Sequence, residues 1–211
     1  GNLVISGIVG GSTELTTYAV TTTGSASQTF SANVTTTGNQ TYTAAGGIVT
    51  SGARTFEGDT INFASALSGD NNVTVTGNAD IDGAITDIAV LAISGTSNIG
   101  ADITTSDTQT YTGAVTLSAA VTLTSSGDVI TFSNTVNSAD STNRNLTVTT
   151  GGNSVHINFD GIVGGSQGLG AIAITGVLDL NAAIADANSL TVSGSTALDA
   201  DVTTSGTQTY T

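Results

Sequence analysis

One stretch of this chain is written twice. Residues 33–68 recur without a gap at 102–137, at a constant offset of 69. Thr35, Thr36, Gln40, Thr41, Tyr42, Thr43, Ala45, Thr55, Gly58, Asp59, Ile61 and Phe63 meet Thr104, Thr105, Gln109, Thr110, Tyr111, Thr112, Ala114, Thr124, Gly127, Asp128, Ile130 and Phe132. A chain that repeats itself in this way buries each unit against its neighbours, so the repeat points to a stacked architecture of small, similar layers.

The residues available to those layers favour strands. Pro, Cys, Met, Trp and Lys are absent, Thr fills about a fifth of the 211 residues, and Val and Ile are plentiful. Branching at Cβ stiffens a side chain and suits it to a pleated strand. With 38% apolar residues the chain has enough to bury a core. The expected class is all-β.

Three short patterns recur along the chain. Gln-Thr-aromatic occurs at Gln28-Thr29-Phe30, Gln40-Thr41-Tyr42, Gln109-Thr110-Tyr111 and Gln208-Thr209-Tyr210, with a relaxed copy at Arg54-Thr55-Phe56. Ile-x-Phe is followed four residues later by Leu or Val at Ile61, Phe63, Leu67, at Ile130, Phe132, Val136 and at Ile157, Phe159, Val163. Alternating strands close on glycine at Leu3–Gly7, Val73–Gly77, Leu91–Gly95, Leu146–Gly151, Ile172–Gly176 and Leu190–Gly194. From Gly77 onward these glycines, with Gly127, lie between 18 and 32 residues apart. That is the length of one coil of a parallel β-solenoid, two or three short strands and their turns.

The repeat from Tyr111 to Tyr210 takes 99 residues instead of 69. About four extra residues fall in the polar run Ser138–Arg144, which reads as a protruding turn, and the rest match Gly151–Gly176. One whole rung is therefore expected as an insertion, and a stacked coil accepts one because each rung touches only its neighbours. The expected organisation is one continuous solenoid over 1–211, with internal repeats at 33–101 and 102–200, about ten rungs and a rod about 50 Å long. The chain begins inside one repeat and stops inside another, as a segment of something longer would. In Val115, Leu117, Val121 and Leu123 the apolar side chains should fill the bore, with Thr116, Thr122 and Thr124 outside. Tyr42, Tyr111 and Tyr210, with Phe63, Phe132 and Phe159, serve as markers of the repeat, and the tyrosines are expected to mark one edge of the coil repeatedly.

At Gln-Thr-Tyr-Thr-Gly-Ala-Val-Thr-Leu (109–117), Asp-Val-Ile-Thr-Phe (128–132) and Phe-Asp-Gly-Ile-Val-Gly-Gly (159–165), the chain resembles the β-strand repeats of large bacterial secreted surface proteins, the filamentous-haemagglutinin-like adhesins. The resemblance covers nearly the whole chain and identifies a repeat class. It implies a right-handed parallel β-helix, export to the bacterial surface or beyond, and a role as stalk, fibre or adhesive shaft. It brings no catalytic residues with it.

Charge narrows the functions further. The formal net charge is −14, and Arg54 and Arg144 are the only Lys or Arg residues. Nucleic-acid binding needs cations to displace counterions from phosphate, and an anionic membrane surface would repel this chain. No stretch suits membrane insertion. An enzyme acting on acidic polysaccharides would want carboxylates together with Arg or Lys on one face, but the two arginines lie in different units. The single His156, between Val155 and Ile157, is expected to face outward, with no triad or metal spacing around it. The expectation is a non-enzyme with no cofactor.

Calcium is the one candidate ion. Asp80 and Asp82, Asp199 and Asp201, and the run Asp70-Asn71-Asn72 supply oxygens, and alternate aspartates on a strand point the same way. The carboxylates also suit turn corners, and neither the nonapeptide calcium repeat nor the EF-hand loop is present. Runs of Thr at Thr35–Thr37, Val73–Thr76, Thr122–Thr124 and Thr147–Thr149 resemble the Thr-rich faces of ice-binding solenoids, provided the same pair recurs at the same place on consecutive rungs. Tyr18, Tyr42, Tyr111 and Tyr210 are candidates for stacking on sugar rings. The reading is a structural shaft or fibre segment of an extracellular adhesin or filament, self-associating end to end or side by side, with a cell-surface or carbohydrate ligand. The alternatives are an ice-binding solenoid and a calcium-stabilised adhesin repeat.

Overall fold

The computed structural model describes residues 1–151 and 155–211; of the inserted stretch, residues 152–154 lie outside the described residues. Among them are 26 strands and no helix. Every strand pairing is parallel, and the strands stack as a β-solenoid of about ten turns with three faces.

Following one strand position on each face defines the coil. On the first face Ile48, Leu67, Ile85, Ile103, Leu123, Val148, Ile174 and Val192 lie one above another. On the second the series is Val34, Phe56, Val75, Ile93, Tyr111, Phe132, Phe159, Leu180 and Leu198. On the third it is Tyr42, Phe63, Ile81, Ile99, Leu117 and Ser138. Strands Arg54–Phe63 and Val73–Ile81 bend through the corner and serve both the second and third faces. Most coils are short, Leu67, Ile85 and Ile103 being partners at steps of 18 residues. The coil from Val121 to Leu146 is longer because it carries an exposed turn at 139–145, one residue on from the predicted run Ser138–Arg144, since Ser138 closes a buried strand.

Alternation assigns the interior as expected. Val115, Leu117, Val121 and Leu123 are buried, while Thr116, Thr122 and Thr124 lie on the outer side, half-buried. All five phenylalanines are in the bore. Phe30, Tyr42, Phe56 and Phe63 form one cluster with contacting centroids 5.1–5.7 Å apart, edge-to-face except for the stacked pair Tyr42 and Phe63. Tyr111, Phe132 and Phe159 pile along the second face at 5.2 and 4.8 Å, nearly parallel. Offset stacking of this kind suits the ring quadrupole and fills a bore whose rungs repeat at about 4.8 Å.

The corner between the second and third faces is made of stacked glycine. A Cβ on Gly77, whose φ is +134°, would lie 1.9 Å from the Gly58 carbonyl oxygen. One on Gly95 would lie 2.5 Å from that of Gly77, and one on Gly113 2.3 Å from that of Gly95. Backbone packs directly on backbone here, so only glycine fits.

The structure corrects the expectation that the three tyrosines mark one edge. Tyr42 sits on the third face, Tyr111 on the second and Tyr210 on the first. From Val34 to Ile103 the chain passes eleven strand positions, one short of four full coils of three. From Ile103 to Val202 it passes fourteen, one complete coil more and again one position short. Each sequence repeat therefore begins one face short of where the last began.

Candidate functional site: the outer faces of the coil

The repeated Gln-Thr-Tyr motif turns inward. Tyr111 donates its hydroxyl to Gln109 Oε1 at 2.9 Å, and Gln109 Nε2 donates to Thr105 Oγ1 at 3.2 Å and to the Thr124 carbonyl of the next coil at 2.8 Å. Tyr42, Gln40, Thr36 and the Glu57 carbonyl repeat the arrangement. Thr105 Oγ1 and Thr36 Oγ1 in turn donate to the turn carbonyls of Asp107 and Gly38. The glutamine thus ties two coils together in a fully buried interior, where such bonds matter most. Burial pushes the Tyr42 and Tyr111 hydroxyls far above the usual tyrosine range. Both residues are fully buried, so neither is available to stack on a sugar; Tyr18 is half-buried and Tyr210 exposed. Thr recurring four residues before Gln, and Tyr two after it, is the signal in the sequence for this network.

On the outside of the third face, side chains one coil apart form a polar ladder. Asn62 Nδ2 donates to Asp80 Oδ2 at 2.6 Å and to Asp82 Oδ2 at 3.1 Å, and Asn98 Nδ2 donates to Asp80 Oδ1 at 2.9 Å. Thr116 Oγ1 continues it to Asn98 Oδ1 at 3.4 Å. Beside it runs a groove of about 460 Å³, bordered by Thr60, Asn78, Asp80, Thr96, Asn98 and Thr116. Asn62 and Asn98 were not singled out from sequence; the polar positions 62, 80, 98 and 116, each 18 residues on, carried the signal.

The calcium candidates are spread along the coil and do not come together. Asp80 and Asp82 belong to the ladder just described, where both Asp80 oxygens accept amide hydrogens. Asp199 and Asp201 lie about six coils further on, at the turn after Leu198, with backbone bonds to Leu180 and Ile184. The third candidate, Asp70, lies at a corner with Asp87; both have positive φ, which aspartate tolerates. Among the described residues no three His, Asp or Glu side chains converge as a metal site would require.

The cations are engaged within the coil. Arg54 donates to the carbonyls of Phe30, Ser51 and Ala53, holding a corner closed. Arg144 pairs with Asp140 at 3.0 Å in the exposed turn. The backbone N–H and hydroxyl of Thr142, aided by Arg144, hold the Asp140 carboxyl below its usual range. His156 faces outward, as expected, with Nδ1 2.5 Å from Asp179 Oδ2 one coil on.

The first face differs from the others. Across the last five coils Thr122, Thr147, Ala173, Thr191 and Thr209 stand in one outer column. Thr124, Thr149, Thr175 and Ser193 stand in a second, continued by Thr211, whose hydroxyl meets that of Ser193 at 3.5 Å. The register is unbroken through these strands. The other Thr runs, Thr35–Thr37 and Val73–Thr76, lie along the second face.

Set against known protein families, curated proteins and solved structures, the chain matches none.

Proposed function

We propose that the protein is a non-catalytic shaft segment of an extracellular bacterial adhesin or surface filament, of the kind its repeats resemble. The observation that carries this reading is the set of backbone ladders running along the coil axis from the first coil to the last. Each coil is held to the next by hydrogen bonds parallel to that axis, so a pull along the shaft loads many of them at once. No carboxylate is buried, and most stand at the turns between strands, a charged skin that keeps neighbouring shafts apart and soluble. The amide and carboxylate ladder beside the third-face groove is of the chemistry that hydrogen-bonds sugar hydroxyls, which supports a carbohydrate or cell-surface ligand. Strand edges and inward apolar side chains left exposed at the terminal coils, Leu15 and Leu198 among them, suit end-to-end association with a second copy.

Electron microscopy of the native protein tests the reading. Stiff rods or fibres, in which a stretch of ten coils occupies about 50 Å, are expected. Globular particles, or turnover of an acidic polysaccharide by the isolated 211-residue chain, would overturn it.

A further inference from the structure

The paired hydroxyl columns of the first face form a two-dimensional lattice. Successive rungs place like side chains about 4.8 Å apart along the axis, and alternate residues on a strand place the second column roughly 6.7 Å away. Four of the five coils carry two hydroxyl residues in the pair, and the fifth carries Ala173 with Thr175. Branching at Cβ holds threonine to few χ1 rotamers, so the methyl and hydroxyl groups are ordered before anything binds.

Two further observations restrict what fits this lattice. Although the chain carries sixteen carboxylates, strands Val121–Ser125, Leu146–Thr150, Leu169–Thr175 and Gln208–Tyr210 and the segment Leu190–Ser193 contain no charged residue. Their one aromatic, Tyr210, is in register with the inward Val192. Among the described residues, the Thr122, Thr124, Thr147, Thr149, Thr175, Thr191 and Thr209 hydroxyls make no hydrogen bond within the protein, unlike those of the bore. A mineral surface would call for charge and a crystalline polysaccharide for exposed aromatic rings. A periodic ligand that needs neither is water ordered as a crystal, whose molecules repeat across the faces of hexagonal ice at spacings close to these.

We propose that the first face, from Val121 to Thr211, binds ice, with threonine methyls seated between water positions and hydroxyls completing the lattice. The proposal is independent of the shaft reading, since a stalk that holds a cell to ice and a free ice-shaping protein would use the same face.

The test uses the 211-residue chain and ice alone. The expected result is thermal hysteresis and faceted crystals in a nanolitre osmometer, with inhibition of ice recrystallisation. Thr149→Tyr, at the centre of the face, should remove these effects while circular dichroism stays unchanged. Thr110→Tyr, on the outer second face, should retain them. Absence of both effects in the unaltered chain would overturn the proposal, as would equal loss in the two variants. A dimer seen by light scattering and dissociated by Thr149→Tyr would also overturn it, by assigning the face to a second copy.

Discussion

Removing one oxygen atom from the bore isolates the contribution of the glutamine network. Tyr111→Phe keeps the ring in its pile with Phe132 but deletes the hydroxyl that donates to Gln109 Oε1. Gln109 is fully buried, and its other hydrogen bonds use Nε2, so its oxygen is left without a donor. An unsatisfied buried acceptor costs about 1–3 kcal/mol, and a lost methyl-sized contact adds little. For a chain of this size that is a fall of several degrees in the thermal midpoint, or a matching fall in urea midpoint at constant slope. The molecule already contains the converse case. Gln28 precedes Phe30 in the same motif, and Gln28 Oε1 is buried with no partner. Phe30→Tyr should therefore raise stability by up to about 1 kcal/mol, provided the cluster with Tyr42 and Phe56 accepts the hydroxyl. Tyr210→Phe, at an exposed copy of the motif, serves as control and should stay within about 0.5 kcal/mol of the parent. Equal midpoints for the parent and Tyr111→Phe would refute the argument, because the glutamine oxygen would then have to be satisfied some other way.

Gly77→Ala should be among the most damaging single substitutions, costing more than about 3 kcal/mol, because the added carbon meets the Gly58 carbonyl and the backbone is already at φ +134°; a normal midpoint would show that the corner can open. Tyr42 and Tyr111 stay protonated in the folded coil above pH 10, where the unfolded chain loses those protons. Their contribution to stability is thus full below about pH 10 and declines as pH rises beyond it, which urea midpoints at pH 8 and 11 and tyrosinate absorbance would reveal. Because both Asp80 oxygens accept amide hydrogens, a chelator should leave the thermal midpoint unchanged; a fall on chelation and recovery with calcium would revive the ion-stabilised reading.

The fold class was legible because its causes are local and repeated. Alternation in Val115–Leu117 and Val121–Ser125 fixes which side chains enter the bore, and the glycine-closed strands recur at the length of a coil. The outward His156 and, to within one residue, the turn predicted at Ser138–Arg144 were legible for the same reason, since each depends only on its own neighbourhood. The candidate surfaces were less legible. The Asn62–Asp80–Asn98 ladder joins residues 18 apart, and the two hydroxyl columns join residues 18 to 26 apart, so seeing them requires the register of every intervening coil.

By itself, then, the sequence determined that this chain is a stack of β coils, which residues line its bore and where a coil could be added. The tertiary structure decided which face each residue occupies. Eleven strand positions in one repeat and fourteen in the next are both one short of whole coils of three, so identical motifs emerge on successive faces and unlike stretches are brought into line. Tyr42, Tyr111 and Tyr210, which align in sequence, point into the bore from three different sides. Thr122, Thr147 and Thr191, set at irregular intervals along the chain, stand in a single column because turns absorb the difference in coil length and the backbone ladder does not.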